Sequence, residues 1–173
     1  MEHFENVNRV VHRMKYAGGT FSGLKSTICA AEITVVSHLC TYEGRKPETE
    51  RVKVIDNWGP CKNLHDVQAF LGNVGVCRMF IENFAMKAEP INNLCKKGVP
   101  FEWGPAQEKS MAELKKSLRE CSALVPLDYI NNPNPIVLSV DTSWKAVGFY
   151  IYQDDVNTGK RNYARFGSIT LNE

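Results

Sequence analysis

Apolar positions along this 173-residue chain change period several times, and each change marks an element. Phe4, Val7, Val10, Val11 and Met14 recur at steps of three and four, and Gly18-Gly19 follows as a stop, so the opening predicts one amphipathic helix. Met1 and Glu2 supply no N-terminal cap for it, as expected of a helix that continues upstream or frays at its end. From Lys25 to Arg45 the apolar residues become β-branched and aromatic (Ile28, Ile33, Val35, Val36, Tyr42), and Glu43-Gly44 ends the run. That composition predicts a β-hairpin or two short strands.

Pro47-Glu-Thr-Glu then reads as a helix start, with Pro at an early position and acids complementing the helix dipole. Val52, Ile55 and Trp58 form its short stripe before Gly59-Pro60. Asn63 is the expected cap of a longer run in which Leu64, Val67, Phe70, Leu71, Val74, Cys77, Ile81 and Phe84 recur at helical spacing. Gly72 and Gly75 lie inside that stripe, so the segment is expected either to bend there or to approach another backbone closely. After Trp103-Gly-Pro105, Met111, Leu114, Leu118 and Cys121 share one face and Lys109, Lys115, Lys116 and Arg119 spread over the other. These helices need one another to bury their stripes. Asn131-Asn-Pro-Asn-Pro135 is a turn or linker. Residues 136–140, 146–152 and 161–166 then read as three strands of an antiparallel meander, the last two joined by the turn-like Asp154-Asp-Val-Asn-Thr-Gly.

Composition narrows the chemistry. Hydrophobic residues make up 43% and charged residues 23% of the chain, as in ordinary globular domains. A net charge of +2 is too mild to mark a nucleic-acid binder by itself, because phosphate neutralisation depends on local clusters of Lys and Arg. The six cysteines, at 29, 40, 61, 77, 95 and 121, include no C-x-x-C pair of the kind a zinc site uses. Scattered free thiols suit a reducing intracellular compartment, cytoplasm or nucleus. No apolar run reaches the roughly 18 residues that span a bilayer, and the first residues lack the pattern of a signal peptide, so no membrane partner is expected.

Four blocks in order, Val67-Gln-Ala-Phe-Leu-Gly, Arg78-Met-Phe-Ile-Glu-Asn-Phe, Phe101-Glu-Trp-Gly-Pro and Val137-Leu-Ser-Val-Asp-Thr-Ser, together resemble the thumb of a reverse transcriptase running into its ribonuclease H domain, in the style of gypsy-like LTR retrotransposons. Ala17-Gly-Gly-Thr-Phe-Ser-Gly and Thr34-Val-Val-Ser-His extend the resemblance upstream, so it covers nearly the whole chain. It implies an α+β fold: a β-hairpin and helical thumb followed by an incomplete ribonuclease H-like antiparallel β-meander. The implied organisation is residues 1–46 as the end of the palm, 47–98 as the thumb, and 99–173 as a connecting helix with the first ribonuclease H-like strands.

The same resemblance implies site residues. Val36-Ser37-His38 falls where the family has a bulky residue, Gly and His in the hairpin that grips the primer terminus, so His38 is a candidate contact; Ser37 in place of Gly puts close backbone approach in doubt. Lys62, Arg78, Lys96 and Lys97 are candidate phosphate contacts, and Gly72 and Gly75 candidate points of close approach to a duplex lying along the thumb. Lys25 aligns loosely with a palm lysine that assists proton transfer to pyrophosphate. Asp141 resembles the first ribonuclease H carboxylate, a catalytic and metal-ligating position. Two-metal hydrolysis needs several acids around a pair of Mg2+ ions, and Asp141 alone cannot hold them. Glu173 falls too early for the next catalytic acid and is given no role. Tyr152-Gln-Asp-Asp155 matches the Tyr-x-Asp-Asp signature of the palm but stands after the thumb and before a polar turn, so it is set aside as a hairpin.

The expected partners are an RNA/DNA or DNA duplex and the palm and ribonuclease H portions of a longer polyprotein. Mg2+ belongs to the intact family, with none expected on this segment. The expected function is to position the template-primer duplex for DNA synthesis and RNA-strand hydrolysis in the full protein. The alternative is a catalytically inactive module retained by a host to bind nucleic acid or a protein.

Overall fold

The chain begins with an isolated amphipathic helix, α1 (Glu2–Tyr16), whose stripe buries none of its residues. The computed structural model describes residues 2–171, so both the N-terminal cap at Met1 and Glu173 lie outside the described residues. Gly18, at φ 73°, ends the helix: the N–H groups of Ala17, Gly18 and Gly19 donate back to the carbonyls of Arg13, Lys15 and Met14. A short 3₁₀ turn (Gly23–Lys25) follows, and Met1–Ala31 form a compact unit separate from the rest.

The second unit starts at Glu32 with three strands rather than two: β1 (Glu32–Val35), β2 (His38–Thr41) and β3 (Gly44–Pro47), antiparallel in the order β1-β2-β3. Pro47 ends β3 opposite His38 instead of opening a helix. A proline needs no ladder donor at a strand's last residue, so the expected helix start moves on to Glu48, the N-cap of α2 (Thr49–Asp56). Gly44 has φ 131°, and a Cβ there would collide with the carbonyl of Leu124. The close approach lets Arg45 and Leu124 exchange both backbone hydrogen bonds at 2.8 Å, while Val125 N–H donates to Tyr163 of the last strand.

Asn63 caps α3 (Leu64–Val76) as expected, its Oδ1 accepting from Asp66 N–H at 2.9 Å. The helix runs unbroken through Gly72 and Gly75, so the bend expected at the glycines falls instead at Cys77, where a 3₁₀ turn (Arg78–Phe80) takes over. Asn83, in the left-handed region at φ 54°, leads into α4 (Phe84–Asn93). Pro105 opens α5 (Pro105–Arg119), with Gly104 N–H bonded to Gln107 Oε1.

The helices pack as their stripes require. Ile55, Val67, Phe70, Val74, Cys77, Ile81, Ile91, Leu114 and Leu124 are fully buried in one core. Each large aliphatic or aromatic side chain removed from water there contributes about 1.5–3 kcal/mol. Lys115, which the periodicity puts on the polar side of α5, donates instead to the carbonyls of Asp56 and Trp58 at the C-terminal end of α2, where a cation complements the helix dipole.

The last third is an antiparallel meander, β4 (Ile136–Thr142), β5 (Ala146–Asp154) and β6 (Arg161–Thr170), with a bulge at Ile151/Tyr152. One face lies on the helices. Tyr163 and Phe166 pack against the core, and Tyr150 and Tyr152 join them in an aromatic cluster with ring centroids 5.0–6.3 Å apart. Buried Ser168 accepts from Ala85 N–H through Oγ at 2.8 Å and from Arg78 Nη2 through its carbonyl at 3.1 Å. Lys145 pairs with Glu89 of α4 at 3.0 Å. The other face exposes Leu138, Val140 and Ile169. The class is α+β, as the resemblance implied.

Candidate nucleic-acid interface and the Asp141 cleft

Two features could meet a polynucleotide: the tip of the β1-β2 hairpin and the outer side of α3. At the hairpin, Val35 pairs with His38, so Val36-Ser37 is a two-residue loop. Both residues have positive φ, 47° and 63°, the pattern of a type I′ turn. A left-handed backbone costs a non-glycine residue about 1–2 kcal/mol. Ser37 is held on two sides: its carbonyl accepts from Glu48 N–H at 3.3 Å, and its Oγ accepts from Arg51 Nη2 at 2.9 Å. Arg51 Nη1 donates to Asn73 Oδ1 at 3.0 Å, and Asn73 Nδ2 donates to Ala69 O within α3. His38 is half-buried, its ring edge-on to Phe80 with centroids 5.5 Å apart. Among the described residues, the buried side-chain polar atoms without a hydrogen-bond partner are His38 Nδ1 and Arg51 Nε.

On α3, Gly72 and Gly75 have no protein atom within 4 Å of where a Cβ would stand. A side chain at either position would stand in open space; Gly72 is exposed and Gly75 half-buried. Lys62 is exposed just before the Asn63 cap, its backbone N–H donating to Asp66 Oδ2. Lys96 and Lys97 are exposed beyond α4. Arg78 has one donor committed to the Ser168 carbonyl, which ties it to the meander. Lys25 is exposed and belongs to the separate Met1–Ala31 unit.

Asp141 sits in β4 opposite Gly148, on the side of the sheet that faces the helices. A small cleft there is lined by Asn83, Met86, Asp141, Ser143, Ala146, Gly148 and Ser168. It holds no second acid, and among the described residues no three His, Cys, Asp or Glu side chains gather as a metal site would require. The cleft is narrow because Asn83 Oδ1 is pressed against Gly148, where a Cβ would overlap it.

The Tyr152-Gln-Asp-Asp155 stretch is engaged structurally throughout. Gln153 is buried, accepting from Asp128 N–H and donating to the carbonyls of Asp128 and Asn134. Asp154 pairs with Arg161 at 3.4 Å, and Arg161 lies 3.8 Å over the Tyr152 ring. Asp155 accepts from the N–H groups of Asn157 and Thr158 and from Thr158 Oγ1, and those bonds hold its carboxyl below its ordinary value. Backbone N–H bonds from Asn131 and Ile130 do the same for Asp128. Burial pushes the thiols of Cys61 and Cys121 up, and that of Cys77 up to about 11.

Arg51 and Asn73 escaped the sequence reading. Each sits on the polar flank of a helix, where a solvated side chain is the default, and the one pointer to them was the serine at position 37.

No family model matches the chain. It is similar to the Tf2-3 and Tf2-4 transposon polyproteins of Schizosaccharomyces pombe, 28% identical over 152 residues that make up 88% of this chain and 11% of each polyprotein. The chain thus spans about a tenth of the length of these curated relatives. Its fold matches that of a foamy viral protease-reverse transcriptase in complex with an RNA/DNA hybrid, with TM-score 0.78, 23% identity, and coverage of 99% of this chain and 23% of the other. It also matches the same viral protein in complex with dsDNA, with TM-score 0.76, 23% identity, and coverage of 99% and 35%. The chain is thus similar to a stretch of these retrotransposon polyproteins and shares its fold with part of a foamy viral protease-reverse transcriptase.

Proposed function

We propose that this chain is part of the reverse transcriptase-ribonuclease H region of a retroelement, of the gypsy-like LTR type, and that it positions an RNA/DNA or DNA duplex in the full-length protein. The observation that carries this reading is the open space at Gly72 and Gly75 along α3, in a segment that also exposes Lys62, Lys96 and Lys97. A helix whose surface lacks side chains can lie close to a groove, and exposed lysines of the same segment can neutralise phosphates. The foamy viral structures that share the fold contain an RNA/DNA hybrid or dsDNA, which supports a duplex as the partner. His38 and the Val36-Ser37 turn would face the same ligand, with residues 47–98 acting as the thumb.

A pair of Mg2+ ions does not fit the residues around Asp141. Two-metal hydrolysis requires several carboxylates converging on both ions, and the Asp141 cleft offers amide, hydroxyl and thioether groups instead. The segment therefore contributes binding and orientation, and hydrolytic chemistry would come from other parts of the polyprotein.

Fluorescence anisotropy with a labelled RNA/DNA hybrid across a salt series tests this. Affinity should fall linearly on logarithmic axes, with a slope of about −0.9 per phosphate engaged on a B-form duplex and somewhat different on a hybrid. Lys62→Ala, and Lys96→Ala with Lys97→Ala, should each flatten that slope, by about one unit per lysine that contacts a phosphate. In the same tubes, hybrid cleavage in Mg2+ or Mn2+ should be indistinguishable from Asp141→Asn. Undetectable binding at low salt would remove the reading.

A further inference from the structure

The loop joining β1 to β2 is made of residues poorly suited to its backbone. A two-residue turn with positive φ at both positions favours Asn-Gly or Gly, and a β-branched residue there is an outlier. Here the pair is Val36 and Ser37. Burial does not hold them, since every residue of β1 is exposed and Val36 is 84% exposed. The restraint comes from α2 and α3. Asn73, anchored to Ala69 O, orients the Arg51 guanidinium, and Arg51 grips the Ser37 hydroxyl, while Glu48 N–H holds the Ser37 carbonyl. Arg51 is half-buried and its Nε is buried without a partner, so the bonds its Nη1 and Nη2 make to Asn73 and Ser37 are what hold the guanidinium in place.

We infer that Arg51 is a positioning residue: with Asn73 it forms a relay from α3 that clamps the strained Val36-Ser37 tip in the orientation presented to a duplex. The inference rests on the duplex reading above for its functional consequence, and on the geometry alone for the clamp. A serine at position 37 then has a purpose that glycine cannot serve, because it offers an oxygen for Arg51 to hold. The relay also couples the two candidate surfaces, since Asn73 stands between Gly72 and Gly75 on the helix proposed to lie along the same duplex.

The test uses the whole 173-residue chain and two readouts, amide hydrogen exchange followed by NMR and affinity for an RNA/DNA hybrid. In Arg51→Met or Ser37→Ala, exchange at Glu48, whose N–H donates to the Ser37 carbonyl, should quicken about tenfold while amides of α3 and β5 stay unchanged. Hybrid affinity should fall about three- to tenfold, and the double variant should match either single one, because both cut the same bond. Ser37→Gly, which tolerates the left-handed backbone, should restore protection at Glu48 in the Arg51→Met background. Additive losses in the double variant, unchanged exchange in Ser37→Ala, or faster exchange with unaltered affinity would each overturn the proposal. Ser37→Ala carries the test by itself if Arg51→Met does not fold. If the parent chain binds no hybrid at all, the duplex reading fails and the exchange results still decide whether the clamp exists.

Discussion

The two three-stranded meanders of this molecule have the same connectivity and are held by opposite means. In the first, strands of four residues add no side chain to the hydrophobic core cluster, although Gly44 and Pro47 of β3 are buried; β1 is exposed throughout. Its shape depends on particular bonds: the Arg51 contact at one end and the Arg45-Leu124 bridge at the other. In the second, strands of seven to ten residues lay Tyr150, Tyr152, Tyr163 and Phe166 toward the helices. Burial is non-directional and summed over area, so it tolerates small shifts; a hydrogen bond across a short strand does not. A sheet of the first kind can be re-aimed by one residue, and a sheet of the second kind serves as a base.

That contrast can be broken most forcefully in the larger sheet. Phe166→Ala should cost about 2–4 kcal/mol in denaturant unfolding, since it empties the place where β6 meets the core; a loss under about 1 kcal/mol would mean that burial is not what holds this meander. Gly44→Ala comes next. It forces a side chain onto the Leu124 carbonyl at a backbone angle alanine rarely adopts, and should cost about 2 kcal/mol, with amide protection lost at Arg45 and Leu124 ahead of the rest. Unfolding in which all amides open together would show that the two sheets are one cooperative unit.

The smallest effect distinguishes the hairpin turns by pH. The turn after β5 is organised by the Asp155 carboxylate, whose folded-state value lies below its ordinary 3.8. The sign follows from linkage: a depressed carboxyl stabilises the fold fully above its unfolded value, and that contribution disappears as pH falls through the folded one. Asp128 acts in the same direction. Protection of residues 157–160 should therefore fade below about pH 4, and Asp155→Asn should flatten that limb. The Val36-Ser37 turn, whose side-chain restraint is the Arg51-Ser37 bond rather than a carboxylate, should lack that acid limb.

Much of this architecture is legible in the order of residues. Asn63 and the stripe behind it predict α3 and its cap, Met111, Leu114 and Leu118 predict the buried side of α5, and the Asp155-to-Gly159 composition predicts its turn. The third strand of the first sheet was less visible, because Gly44-Arg-Lys-Pro47 alternates nothing apolar and pairs through backbone alone. The glycines of α3 misled in one respect: they cost helix propensity without breaking the helix, since burial of Phe70 and Val74 outweighs the loss.

Periodicity by itself determined which sides of α3 and α5 face the core, because a helix repeats every 3.6 residues and apolar side chains must leave water wherever the chain closes on itself, whereas the stripe of α1 stays exposed. Only the tertiary structure decided the polar partners: Arg51 on Ser37, Lys115 at the end of α2, Arg78 on a carbonyl 90 residues away, and Asp141 in a cleft without a second acid. A hydrogen bond between distant segments has no period along the chain. Its donor looks like any solvated charge until folding removes the water around it.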